Sequence, residues 1–82
     1  MSIEKISIRQ IKAARALLSW SQEDLAERSG VSVPTIARLE ATDGPIGGRR
    51  STAAAIRAAL EQAGVAFLDD DGHGTGVRVR AQ

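Results

Sequence analysis

Eighty-two residues with a formal net charge of +1 and no cysteine make one small domain, without disulfides or thiolate metal sites. A core of this size is marginal unless its helices are well capped or two chains associate. A single Trp and a single Phe leave no aromatic platform for stacking single-stranded bases. Met1 to Lys5 carry an acid and no apolar run, so neither a signal peptide nor a membrane span is expected, and a cytoplasmic protein is. The charge is unevenly spread. Residues 1–60 hold nine Lys/Arg against six Asp/Glu, and residues 61–82 hold two against four, three of them Asp69, Asp70 and Asp71. A basic body with an acidic, glycine-rich tail permits phosphate binding.

The first element opens on a capping box, with Ser7 as N-cap and Gln10 three places on, and Ile6 and Ile11 stand where a hydrophobic staple belongs. The helix is expected to run to about Ser19. Ile8, Ile11, Ala14, Leu17 and Leu18 should be buried, and Arg9 and Lys12 should face outward. The second helix repeats the signal: Ser21 caps, Asp24 follows three residues later, and Trp20 staples to Leu25. Gly30 suits a left-handed position at its end.

Pro34 sits inside what reads as a third helix. Ser32 is a good N-cap and Val31 pairs with Ile36 as a staple, which places Pro34 second in the helix. There its missing N–H has no intrahelical partner to lose. The proline therefore starts the helix. Ile36 and Leu39 face inward; Thr35, Ala37 and Arg38 face outward. Two short helices joined by a tight glycine turn form a helix-turn-helix.

Asp43-Gly44-Pro45 is a turn, and Gly47-Gly48 adds mobility to the loop after it. Backbone amides there, beside Arg49 and Arg50, form a phosphate clamp or else a flexible linker with basic caps. Ser51 or Thr52 caps a fourth helix with Ile56 and Leu60 as its apolar stripe, closed by Gly64. "VAFL" and "VRVR" then read as two strands around "DDDGHGTG". Val77 and Val79 alternate with Arg78 and Arg80, giving one apolar and one basic face.

The stretch "SQEDLAERSGVSVPTIARLE", Ser21 to Glu40, preceded by "IKAARALLSW", resembles the phage repressor and Cro-like helix-turn-helix proteins, the xenobiotic response element family. The resemblance covers roughly Ile8 to Ala63. It implies a mainly α fold: a lambda-repressor-like domain of four short helices, here followed by a C-terminal β-hairpin. The family usually continues with a fifth helix instead. The resemblance further implies that the second helix of the motif lies in the DNA major groove. In that family the glutamine opening the first motif helix anchors a phosphate, which maps to Gln22. The turn and first exposed recognition positions map to Ser32, Val33, Pro34 and Thr35, and a later base-reading position maps to Arg38. Arg15 and Glu40 occupy the places of a structural ion pair.

Elementary chemistry bears on these roles. Helix N-termini favour phosphate at Gln22 and Ser32, and Arg38 can grip guanine O6 and N7 bidentately. Val33 and Pro34 either pack on thymine methyls or only rigidify the helix start. An isolated hairpin is barely stable, so residues 65–82 must pack on the helices, pair with a second copy, or dock on another protein. The expected organisation is a DNA-binding domain over 1–64 and a dimerisation or partner-binding extension over 65–82. Consecutive aspartates do not give the alternating ligands of a calcium loop, and a lone His73 is weak evidence for zinc. No metal, cofactor or enzymatic activity is expected. The whole reads as a double-stranded DNA-binding regulator, a repressor acting as a homodimer on a palindromic operator. The alternative is an antitoxin or antiactivator whose hairpin binds a protein partner.

Overall fold

The computed structural model describes residues 6–80; the expectation for Met1 to Lys5 and the last two residues of the 65–82 extension lie outside them. Four helices, α1 (Ile8–Leu18), α2 (Gln22–Ser29), α3 (Val33–Glu40) and α4 (Arg50–Gln62), precede strands β1 (Val65–Leu68) and β2 (Gly76–Val79). The fold is mainly helical with an antiparallel hairpin at its end.

Each of the first three helices begins where its cap directs. Ser7 Oγ accepts from the Gln10 amide at 3.1 Å while Gln10 Oε1 accepts from the Ser7 amide at 2.9 Å. Ser21 and Asp24 repeat the box at 3.0 and 2.9 Å. Ser32 caps α3 with Pro34 in its first turn, where an imino nitrogen forfeits no helical bond. Gly30 ends α2 at φ +77°. Ser19 ends α1 in the same left-handed region at φ +58°, a place the sequence does not mark with a glycine.

Gly30→Ala isolates the cost of that backbone conformation, because no atom lies within 4 Å of the added Cβ. The expected loss is about 1–2 kcal/mol, read as a lower urea midpoint with an unchanged m-value.

The fourth helix departs from expectation. It starts at Arg50, its N-cap is Arg49 in extended conformation, and no side chain caps it. Ser51 and Thr52 cannot serve because both already lie within the first turn. Gly48 reverses the chain at φ +79° just before, so the helix begins earlier than the hydroxyls propose. Ala63 closes it, and Gly64 follows at φ +104°.

One core joins all six elements. Ile8, Ile11, Leu25, Ile36, Ile56 and Leu60 are fully buried, with Ile6, Ala14, Leu39, Ala59 and Val65 around them. Each such Ile or Leu contributes about 1.5–3 kcal/mol relative to an exposed one. Trp20, Leu18 and Val31 pack against this cluster. Leu17 does not: it is 55% exposed, so the expected burial of both Leu17 and Leu18 is wrong for the first. At 100° per residue, adjacent positions diverge, and only Leu18 continues the Ile11–Ala14 face.

The hairpin packs on its own helices, β2 on α1 and β1 on α4. Val65, Phe67, Val77 and Val79 share the inner face, and Arg78 and Arg80 are exposed. The Arg57 guanidinium lies 5.3 Å above the Phe67 ring. Gln10 ties the hairpin mouth to α1. Its Nε2 donates to the Gly76 carbonyl at 2.9 Å and the Leu68 carbonyl at 3.3 Å.

The loop between α3 and α4 is anchored in its first half. The Ile8 amide donates to the Gly44 carbonyl at 2.9 Å and the Ile46 amide to the Ile6 carbonyl at 3.0 Å. Arg9 closes the same contact from outside, with Nε 3.1 Å and Nη2 3.0 Å from the Asp43 carboxylate. Its guanidinium and the Gly44 amide hold Asp43 below the usual carboxylate range. The glycine pair 47–48 thus lies beyond a fastened segment.

Candidate nucleic-acid interface

The candidate site residues Val33, Pro34, Thr35 and Arg38 lie on α3, whose far end is held by a polar knot. Glu40 is buried, and Arg15 grips it through Nε at 2.8 Å and Nη2 at 2.6 Å. The remaining Arg15 nitrogen donates to the Trp20 carbonyl at 2.8 Å. Gln22 adds a third donor, its Nε2 lying 3.0 Å from Glu40 Oε1. Burial pushes the Glu40 carboxyl upward, but the bonds from Arg15 and Gln22, helped by the charges of Arg15 and Lys12, outweigh it. The net shift is downward. This knot binds α1, the start of α2 and the end of α3 into one unit.

Gln22 therefore has a partner inside the fold. Its Nε2 has two hydrogens; one is committed to Glu40, which leaves the other and Oε1 for contacts beyond the fold. The inward bond was not legible as a role for Gln22 in the sequence.

Along α3, Ser32, Pro34 and Arg38 are exposed, and Val33 and Thr35 are half-buried. Ser32 Oγ donates to Thr35 Oγ1 at 2.9 Å and caps the Thr35 amide at 3.4 Å. The serine proton is thus spent locally, whereas the threonine hydroxyl keeps its own proton for an outside acceptor. Arg38 and Arg49 have no hydrogen bond or ion pair within the described residues.

Thr35, Arg38, Gly48, Arg49 and Thr52 line one cleft of about 340 Å³ between α3 and the start of α4. The uncapped N-terminus of α4 opens there, with the partial positive charge of its first turn unopposed by any side-chain acceptor. The fold brings Thr35 and Arg38 of α3 together with Arg49 from the far end of the loop. Thr52 joins them, although the sequence offered it only as a helix cap.

The helix-turn-helix family model matches residues 11–46. Over this segment the chain is similar to that helix-turn-helix family. The matched helix-turn-helix spans α2, the Gly30 turn and α3, with α1 and the anchored loop on either side, and the family it resembles is one of DNA-binding transcriptional regulators. No curated protein matches the chain.

Two other features of the described residues bear on function. No helix is long and apolar enough to cross a membrane. No group of three or more His, Cys, Asp or Glu could hold a metal ion. In the hairpin loop, Asp70 Oδ1 accepts the amides of Gly72 and Gly74, both at 2.9 Å, and those bonds hold its carboxyl below the usual range. Asp71 Oδ1 accepts the His73 amide at 3.1 Å. These aspartates organise a turn.

Proposed function

We propose that the chain is a sequence-specific regulator of double-stranded DNA, a repressor that binds as a dimer to a palindromic operator. The observation that supports this most is the cleft where Arg38 and Arg49, both exposed and unpaired among the described residues, flank an uncapped helix start. A phosphate fits such a place electrostatically, and the adjoining face of α3 then meets the base edges.

In this reading Arg38 takes guanine O6 and N7, and Thr35 donates its free proton to a base or phosphate. Val33 and Pro34 meet thymine methyls. Gln22, Ser32, Arg49 and Arg50 hold phosphates, fixing register without reading sequence. Residues 1–64 carry DNA binding, and 65–82 carry dimerisation. A dimer supplies two recognition helices for half-sites about 34 Å apart.

A second reading rests on the hairpin's outer face, where Leu68, Arg78 and Arg80 are exposed. That face would dock a protein, as in an antitoxin or antiactivator.

Fluorescence anisotropy with the chain's own upstream DNA against a scrambled duplex tests the proposal. Arg38→Ala is expected to weaken binding to the preferred duplex roughly 5- to 150-fold, from about 1–3 kcal/mol of lost readout, and to erase the preference. Arg49→Ala should weaken both duplexes alike and reduce the salt slope by about 1. Equal binding to both duplexes by the unmodified chain at every salt would refute sequence reading. Tight binding of a co-encoded protein that survives Arg38→Ala would favour the second reading.

A further inference from the structure

We propose that α3 reads the C5-methyl group of the pyrimidine directly 5′ to the guanine gripped by Arg38, and little else of that base. The chain then accepts 5-methylcytosine in place of thymine at this step and disfavours unmethylated cytosine. Cytosine methylation becomes an input to its binding. This rests on the DNA-binding reading above and adds the chemistry of one base step to it.

The outward side chains of α3 decide what it can distinguish. Cytosine is recognised by an Asp or Glu that accepts from its N4 amine, and adenine by the paired donor and acceptor of Asn or Gln. Helix α3 contains no Asn or Gln. Its one acid, Glu40, is buried and bound to Arg15 and Gln22. Thr35 is half-buried and its oxygen already accepts from Ser32; a hydroxyl also serves either kind of base. What remains outward is Arg38, fitted to guanine, beside exposed Pro34 and Ala37 and half-buried Val33. Of the four ordinary bases, only thymine offers such apolar surface a methyl group.

Spacing joins the two readers. Pro34 and Arg38 are four residues apart on the helix, so they share one ridge with about 5–6 Å between Cβ atoms. That distance suits neighbouring base pairs, stacked about 3.4 Å apart. In right-handed B-DNA the C5 substituent of a pyrimidine leans toward the Hoogsteen edge of the purine on its 3′ side. An arginine that reaches O6 and N7 of that guanine lays its guanidinium against the methyl. Pro34, one turn earlier, closes on the same group. Pyrimidine–purine steps also deform easily, which eases the approach.

Thymine and 5-methylcytosine carry the same methyl on the same ring carbon. They differ in the group at C4 and in the paired purine, and α3 has no dedicated partner for either. Uracil and cytosine are the same two bases without the methyl.

The full-length chain is first used to select sites from random-sequence duplexes, and the guanine whose enrichment vanishes with Arg38→Ala marks the step. The selected duplex is then made with thymine, uracil, cytosine or 5-methylcytosine 5′ to that guanine, each properly paired. Anisotropy titrations are expected to favour thymine over uracil, and 5-methylcytosine over cytosine, by about fourfold per altered half-site, the worth of one methyl-sized group taken out of water. In Pro34→Ala, shown to be folded by its urea midpoint, both ratios should fall toward one. Equal binding of the thymine and uracil forms by the unmodified chain would overturn the inference. So would a thymine preference without a 5-methylcytosine preference, which would assign the reading to the C4 group, or ratios unchanged in Pro34→Ala. A selected site with a purine at this position overturns the inference and leaves sequence reading intact, whereas a selection that enriches no sequence overturns the DNA-binding reading beneath it.

Discussion

Replacing Arg15 by Met is expected to cost about 3–5 kcal/mol at pH 7, the loss typical when one partner of a buried ion pair is removed. Glu40 has a side chain only 5% exposed, and Arg15 supplies two of its three hydrogen bonds. Without the guanidinium the carboxylate keeps only Gln22, in a site that burial makes hostile to charge. Met fills the aliphatic volume of Arg15, so the measured loss reports the charge and its bonds more than a cavity. The Trp20 carbonyl also loses its donor.

The pH dependence carries the sign. In the unmodified chain Glu40 titrates below its ordinary value of 4.5. Its contribution is therefore complete above the unfolded value and is lost as pH falls through the folded one. In Arg15→Met burial dominates and raises the folded value above the unfolded one. That variant gains relative stability as pH drops. Urea unfolding at pH 7 and at pH 4 should show the gap between the two proteins narrowing in acid. A gap that stays constant, or widens, would show that Glu40 is not the group responsible. DNA affinity should fall beyond the loss from unfolding, because Gln22 loses a fixed Glu40 to orient it.

Leu25→Ala is expected to cost about 2–5 kcal/mol, against less than about 0.5 kcal/mol for Leu17→Ala. Leu25 is the one fully buried side chain of α2, and this short helix packs on both α3 and α4. Its removal leaves a cavity where the two helices of the motif meet, and so small a domain has little reserve. Thermal or urea unfolding of both variants decides the matter. Comparable losses would mean that Leu17 is covered in solution. Binding to DNA at a temperature where Leu25→Ala remains folded should be weakened only modestly, since no atom of Leu25 reaches the surface.

Most of the helical plan is local chemistry and could be read directly. The caps at Ser7, Ser21 and Ser32, the glycine at 30 and the proline at 34 act within three or four residues of themselves, so their meaning does not depend on distant contacts. The Ser21–Glu40 motif is legible for the same reason: the turn and its two helices form one continuous stretch. Leu17 was misread because the spacing of apolar residues gives the width of a buried stripe but not its limits, which neighbouring helices decide. The start of α4 was misread because a hydroxyl near a helix start signals a cap only if the backbone there is extended. Gly48 turns the chain early enough to put Ser51 and Thr52 inside the helix.

What the sequence alone determined, then, is where chain segments coil and which of them form the motif, because capping, turns and periodicity are short-range forces. Only tertiary structure decided that Gln10 fastens the hairpin 66 residues away and that Gln22 joins Arg15 on Glu40. It also decided that Arg49 and Thr52 share a cleft with Arg38. Each depends on polar groups that must find partners once water is excluded, and the partner is set by which elements the core brings together.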